Sequence, residues 1–137
     1  MRLHDTQSIE IAAPYEEAFR FIADGGNLPQ WAEAFASVEA DRARMRTPQG
    51  EAEVRLRIEE DVRFGIVDWF LTFPDRSTAS ANSRLTRGSG GGLVYVFVLN
   101  APTLPLEALE GALQEQSKTL ARELQRLKTV LENDGPR

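Results

Sequence analysis

The sequence contains no cysteine and a single histidine, His4. Without cysteine there is no disulfide, no thiolate nucleophile and no cysteine-ligated zinc. With His4 as the one imidazole, a zinc site would rest on carboxylates. A Ser-His-Asp relay would depend on a residue near the first strand's start, and no nucleophile elbow accompanies it. No metal and no cofactor is expected. Long apolar runs are missing too: Val94 to Leu99 falls far short of the ~18 residues that cross a bilayer, so no membrane span is expected. The opening Met1-Arg2-Leu3-His4-Asp5 lacks the apolar stretch of a secretory leader, which together with the missing thiols predicts a cytoplasmic protein. A basic surplus is also lacking. The net charge of −5 argues against nucleic-acid partners, whose proteins gain affinity by neutralising phosphates.

What is present is the composition of an ordinary globular protein. The chain has 137 residues, 42 % hydrophobic and 27 % charged, enough to bury one core and to predict a single domain over 1–137. Arginines gather at Arg42, Arg44, Arg46, Arg55, Arg57 and Arg63, with acids at Glu39, Asp41, Glu51, Glu53, Glu59, Glu60 and Asp61 among them. Mixed signs on neighbouring strands predict a solvated, cross-paired sheet face, with an anion or partner patch as the alternative.

Ser8 to Ala12 alternates with Ile9 and Ile11 on one face and predicts a strand. Pro14, Glu16 and Glu17 suit a helix start, and Ala18, Phe19, Phe21 and Ile22 supply its buried stripe. Asp24-Gly25-Gly26-Asn27 ends that helix. A second short helix is predicted from Pro29, carrying Trp31, Ala34 and Phe35 on one side. Strands follow: Val38 to Met45, a turn at Thr47-Pro48-Gln49-Gly50, then Ala52 to Ile58 with Val54, Leu56 and Ile58 on one face. Gly65 to Phe73, Ser77 to Thr86 and Leu93 to Asn100 complete the run. Gly88 to Gly92 reads as a hairpin loop, since a phosphate loop must open a helix and carry Lys-Ser/Thr. From about 105 to 133, residues Leu106, Leu109, Leu113, Ser117, Leu120, Leu124, Leu127 and Leu131 recur at steps of three and four, one stripe of a long helix.

Consecutive strands on short turns are antiparallel, and a sheet with one apolar face needs a cover. The expected fold class is therefore α+β, a curved antiparallel sheet wrapped around a long C-terminal helix. Several segments also resemble one superfamily, the START-like or SRPBCC helix-grip proteins, in its polyketide cyclase/dehydrase-like and lipid-transport branches. Ile9-Glu10-Ile11-Ala12-Ala13-Pro14-Tyr15-Glu16-Glu17-Ala18-Phe19 is similar to that family's strand, Ala-Pro and helix opening. Asn27-Leu28-Pro29-Gln30-Trp31 resembles its Asn-x-Pro-x-Trp segment, and Gly65-Ile66-Val67-Asp68-Trp69 a strand of a bacterial branch. Leu120 to Glu132 looks like that branch's closing helix.

The resemblance implies a cavity between sheet and helix. Small residues on the helix (Gly111, Ala112, Ser117) would leave volume there, unless Phe70, Tyr95 and Phe97 fill it. Expected lining residues are Trp31, Phe35, Leu56, Ile58, Asp68, Phe70, Arg84, Tyr95, Phe97, Leu113, Ser117 and Leu120. Trp31 and Trp69 also read as packing residues. Asp68 interrupts an apolar run and must be paired or protonated if buried. With a connection of four or five residues around Pro74-Asp75-Arg76 it would sit opposite Arg84, as a polar anchor for a ligand or as a cross-strand ion pair or exposed edge pair. Tyr95 is a second possible anchor. The expected function is binding or carriage of a small, mostly hydrophobic or aromatic ligand. The alternatives are a cyclase- or dehydratase-like enzyme with Asp68 as acid or base, and a protein-interaction module with a filled core. Apolar residues on both faces of Gly65 to Phe73 and Leu93 to Leu99 add a possible homodimer.

Overall fold

The computed structural model describes residues 3–47, 50–101 and 106–134, with the backbone alone for 106–113 and 134. Strand β1 (His4–Ile11) leads into helix α1 (Tyr15–Ala23), a single tight turn (Gly25–Asn27) and the one-turn helix α2 (Leu28–Trp31). Six strands follow: β2 (Phe35–Glu39), β3 (Arg42–Thr47), β4 (Gly50–Asp61), β5 (Ile66–Thr72), β6 (Thr78–Arg87) and β7 (Leu93–Asn100). Helix α3 (Leu106–Thr129) closes the chain and widens into a π turn at Val130–Asp134. The strands form one antiparallel sheet in the order β1-β7-β6-β5-β4-β3-β2.

Period-two alternation decides what each face of the sheet holds. Cross-strand partners place Asp5, Leu99, Ala81, Trp69 and Ile58 in one row of the concave face, and Gln7, Phe97, Ser83 and Val67 in the next. Ile9, Tyr95 and Leu85 form a third. Leu120, Leu124, Leu127 and Leu131 of the last helix are buried on this side, as their spacing predicts, together with Ile11, Val54, Leu56 and Val67. Each fully buried leucine or isoleucine adds about 1.5–3 kcal/mol to folding.

Polar straps fix α3 on the sheet. Lys128 donates to the Glu10 carbonyl and to the Glu132 carboxylate at 2.7 Å each, and Glu132 accepts the Ala12 N–H at 2.7 Å. Nearer the middle of α3, Arg122 donates two hydrogen bonds to the Glu33 carboxylate, at 3.0 and 3.1 Å. Those bonds hold the Glu33 carboxyl below the usual carboxylate range. The next helical residue, Glu123, accepts the Glu33 N–H.

Two local expectations need correction. The second short helix stops at Trp31, and Phe35 opens β2, where pairing with Met45 of β3 outweighs one further helical turn. Val38 to Met45 is two strands joined at Ala40-Asp41, with Ala40 in the left-handed region at φ 56°. Of the turn predicted at Thr47–Gly50, Pro48 and Gln49 lie outside the described residues. The glycine loop does close a hairpin, with the Gly88 N–H on the Gly92 carbonyl at 2.7 Å.

The mixed charges behave as a solvated face. Arg42 meets Glu53 at 3.2 Å and Arg44 meets Glu51 at 3.7 Å, with all four side chains roughly half exposed. Exposed pairs of this kind add little stability.

Candidate functional site

The concave face carries a chain of aromatic rings. Trp31, delivered by α2, meets Trp69 of β5 edge-on at 6.1 Å and 62°. Trp69 stacks on Phe97 of β7 at 5.5 Å and 29°, and Phe97 meets Tyr95 edge-on at 6.3 Å. Trp31 is 2 % exposed, Trp69 4 % and Tyr95 0 %. Among the described residues the two indole N–H groups meet no acceptor, and the Tyr95 hydroxyl has only the Ser83 hydroxyl beside it. Burial pushes the Tyr95 phenol far above its ordinary range, with the neighbouring Ser83 hydroxyl opposing and the Asp68 charge reinforcing that shift. Tyr95 therefore keeps its proton at physiological pH. The Ser83 hydroxyl donates to the Val67 carbonyl at 2.6 Å, and its oxygen remains able to accept.

A polar cluster sits where β1 meets α3. The Ser117 hydroxyl donates to Asp5 Oδ2 at 2.7 Å. The Gln7 amide donates to the same oxygen at 2.7 Å and to the Ser117 carbonyl at 2.8 Å. Asp5 is 8 % exposed. Its carboxylate thus sits almost out of water with donors around it, which a buried charge requires.

A concavity of about 880 Å³ lies along β4, β5 and β6, bordered by residues of both sheet faces. Leu56, Ile58, Leu71, Ala79 and Ala101 border it, with Arg57, Phe70, Ser80 and Asn100 from alternating positions. Ala79 leaves space there, because the other members of its row, Leu71 and Leu56, are larger.

The candidate residues divide accordingly. Leu56, Ile58 and Phe70 border the concavity, while Trp31, Tyr95, Phe97 and Leu120 belong to the buried core behind it. Phe35 is half-buried against that core, Ser117 joins the Asp5 cluster, and the side chain of Leu113 lies outside the described residues.

Asp68 and Arg84 are corrections. Phe73 donates to the Ser77 carbonyl at 2.9 Å, so the β5–β6 turn holds only Pro74, Asp75 and Arg76. That turn pairs Asp68 with Asn82 and Arg84 with Ile66, two residues out of the expected register. Both side chains alternate with buried Val67, Trp69, Ser83 and Leu85 and so stand on the outer face. Asp68 Oδ1 accepts the Ser83 N–H at 3.2 Å, and Arg84 donates to the Phe64 carbonyl at 3.0 Å. An acid–base mechanism built on Asp68 thereby loses its base from the groove. Phe70, on the same outer face, lies under the Arg57 guanidinium at 4.3 Å.

Asp5 and Gln7 went unnoticed as site residues. Their signal is the same period-two alternation that exposes Ile9 and Ile11, extended two steps toward the N-terminus. Among the described residues no group of three or more His, Asp or Glu side chains could hold a metal, and no helix is long and apolar enough to cross a membrane.

The model of one protein family, described as polyketide cyclase/dehydrase and lipid transport, matches residues 2–132. The chain belongs to that family. Solved structures agree on the fold. XoxI from Bacillus cereus superposes with a TM-score of 0.68 at 16 % identity, covering 94 % of this chain and 95 % of that one. A START superfamily protein from Mycobacterium smegmatis gives 0.61 at 13 % identity, covering 95 % and 99 %. The Aha1 dimer from Colwellia psychrerythraea gives 0.63 at 16 % identity, covering 98 % of each chain. Comparison with curated proteins gave no match. The helix-grip fold of this polyketide cyclase-like, lipid-transport family is thus the scaffold on which the concavity, the ring chain and the Asp5 cluster are built.

Proposed function

We propose that this family member binds a small, mostly apolar molecule in the groove between the concave sheet face and α3. The observation that carries the proposal is the concavity of about 880 Å³ over Leu56, Ile58, Leu71 and Ala79. Ligand pockets are concave, largely apolar and of this order of size. The family's description covers both lipid transport and cyclase chemistry, and a groove with an apolar floor serves either. Binding comes first in both cases. With Asp68 on the outer face, carriage needs fewer additional groups than catalysis.

The test has two parts. Native mass spectrometry of the protein purified from its own host should show an added small-molecule mass that disappears on denaturation. Titration with N-phenylnaphthylamine, a neutral fluorescent apolar probe, should saturate at one site, and Ala79→Trp should weaken it at least tenfold by filling the floor. Unchanged probe binding in Ala79→Trp refutes the groove as the site.

Self-association is a second proposal. Ile66, Phe70, Val94, Val96 and Val98 are half-buried on the outer face, and the Colwellia structure named above is a dimer. Sedimentation equilibrium should report twice the chain mass, and Val96→Lys should return it to one.

A further inference from the structure

The outer face of the sheet carries two opposite charges that do not meet within the chain. Of the described outward positions on β5, β6 and β7, only Asp68 and Arg84 are charged. Ile66, Phe70, Val94, Val96 and Val98 stand around them, half-buried. On the neighbouring β4 and its turn the charges are already matched, Arg57 with Glu59 and Arg63 with Asp61. Asp68 and Arg84 have no partner of opposite charge among the described residues.

Register keeps them apart. Arg84 stands opposite Ile66 and Asp68 opposite Asn82, so the two charges occupy one diagonal of a four-residue block. Arg84 Nε donates to the Phe64 carbonyl at 3.0 Å, which turns the guanidinium toward the β4–β5 turn, while Asp68 lies on the other side of Ile66. Asp68 spends Oδ1 on the Ser83 N–H at 3.2 Å. Its Oδ2 and the Nη groups of Arg84 are left to meet a charge from outside. An anionic lipid or nucleic-acid surface would satisfy Arg84 and repel Asp68.

A second copy of the chain satisfies both. A two-fold axis lying in the interface, at right angles to the Arg84–Asp68 diagonal, sets Arg84 of each copy against Asp68 of the other. The same rotation brings Ile66 against its own copy and Val96 toward Phe70 of the second chain. Resting on self-association through the outer face, we propose that two copies pack face to face across this axis, joined by two Arg84–Asp68 ion pairs. Set amid apolar side chains, the two pairs fix how the sheets are placed on one another.

Charge reversal in the full chain tests the pairing, with sedimentation equilibrium as the readout. The parent should sediment as a dimer. Asp68→Arg leaves cation facing cation at both contacts, and Arg84→Asp leaves carboxylate facing carboxylate. Each should weaken association at least about a hundredfold, because like charges replace two attractive pairs. Mixed in equal amounts, the two variants should form a heterodimer within about tenfold of the parent's affinity, since every contact again joins opposite charges. One chain carrying both reversals should dimerise as well.

Melting curves establish that each variant is folded. If one is not, Asp68→Asn and Arg84→Gln replace the reversals, and each should weaken association at least about tenfold. A parent that stays monomeric at every concentration refutes self-association and this pairing with it. A dimer that survives both reversals, or folded variants that stay apart when mixed, overturns the Arg84–Asp68 pairing and leaves self-association to another surface.

Discussion

Glu123 of α3 accepts the backbone N–H of Glu33 at 2.5 Å, and burial pushes its carboxyl up to about 7. The negative Glu33 adds to the rise, while Arg126 and Arg122 oppose it. A carboxyl whose folded pKa lies above its ordinary 4.5 binds its proton more tightly in the folded chain. Stability is therefore highest below that ordinary value, falls as pH rises from about 4.5 to 7, and is level above. Glu123→Gln keeps an acceptor for Glu33 and has no charge to bury. It should be more stable than the parent at pH 8 by about 1–2 kcal/mol, allowing for partial exposure, and equal to it at pH 4. Urea denaturation at both pH values checks this, and an unchanged difference between them removes Glu123 as the source.

Gly65 takes φ +71°, and a Cβ built there would come within 1.9 Å of the Leu85 carbonyl oxygen. That oxygen belongs to backbone that cannot retreat, since the Leu85 N–H is bonded to the Gly65 carbonyl at 2.8 Å. Gly65→Ala combines left-handed strain with a steric overlap. It should cost at least about 3 kcal/mol or prevent folding. A melting temperature within a few degrees of the parent would mean that the β4–β5 turn relaxes freely.

Much of this architecture is legible because its signals are local. The leucine stripe of α3 and the alternation of Val54, Leu56 and Ile58 are patterns a few residues long, and the buried residues follow them. The β2–β3 turn left no such mark: Ala40 adopts φ 56° in a position where glycine or asparagine would have signalled a turn. The Asp5 cluster depends on Ser117, 112 residues away in sequence, so alternation could place Asp5 on a face without revealing its partner. The Asp68–Arg84 expectation failed on register. A three-residue turn fixed by Phe73 and Ser77 moves every partner by two, and only the turn's hydrogen bonds decide that count.

Leu127 is 0 % exposed at the centre of the helix stripe. Leu127→Ala removes three carbons from a packed site and leaves a void under α3, which should cost about 3–4 kcal/mol. Chemical denaturation with an unchanged m-value should show it. A loss below 1 kcal/mol would mean that the helix settles into the gap and that the grip is looser than its burial suggests.

Asp68 and Arg84 supply the sharpest check on which face does the binding. Asp68 holds the Ser83 N–H from the outer side of the sheet, and Arg84 holds the Phe64 carbonyl. Asp68→Asn keeps an oxygen in place for Ser83 and removes only the charge, so folding should be preserved within about 1 kcal/mol. Binding of N-phenylnaphthylamine should stay within about twofold of the parent. Asp5→Asn gives the contrast. It neutralises the carboxylate beneath α3 where Ser117 and Gln7 converge, and should lower stability by about 1–3 kcal/mol, the cost of weakening charge-assisted bonds in a nearly dry site. If Asp68→Asn abolishes binding while Asp5→Asn changes neither stability nor binding, the working face is the outer one, and the groove beneath α3 is only core.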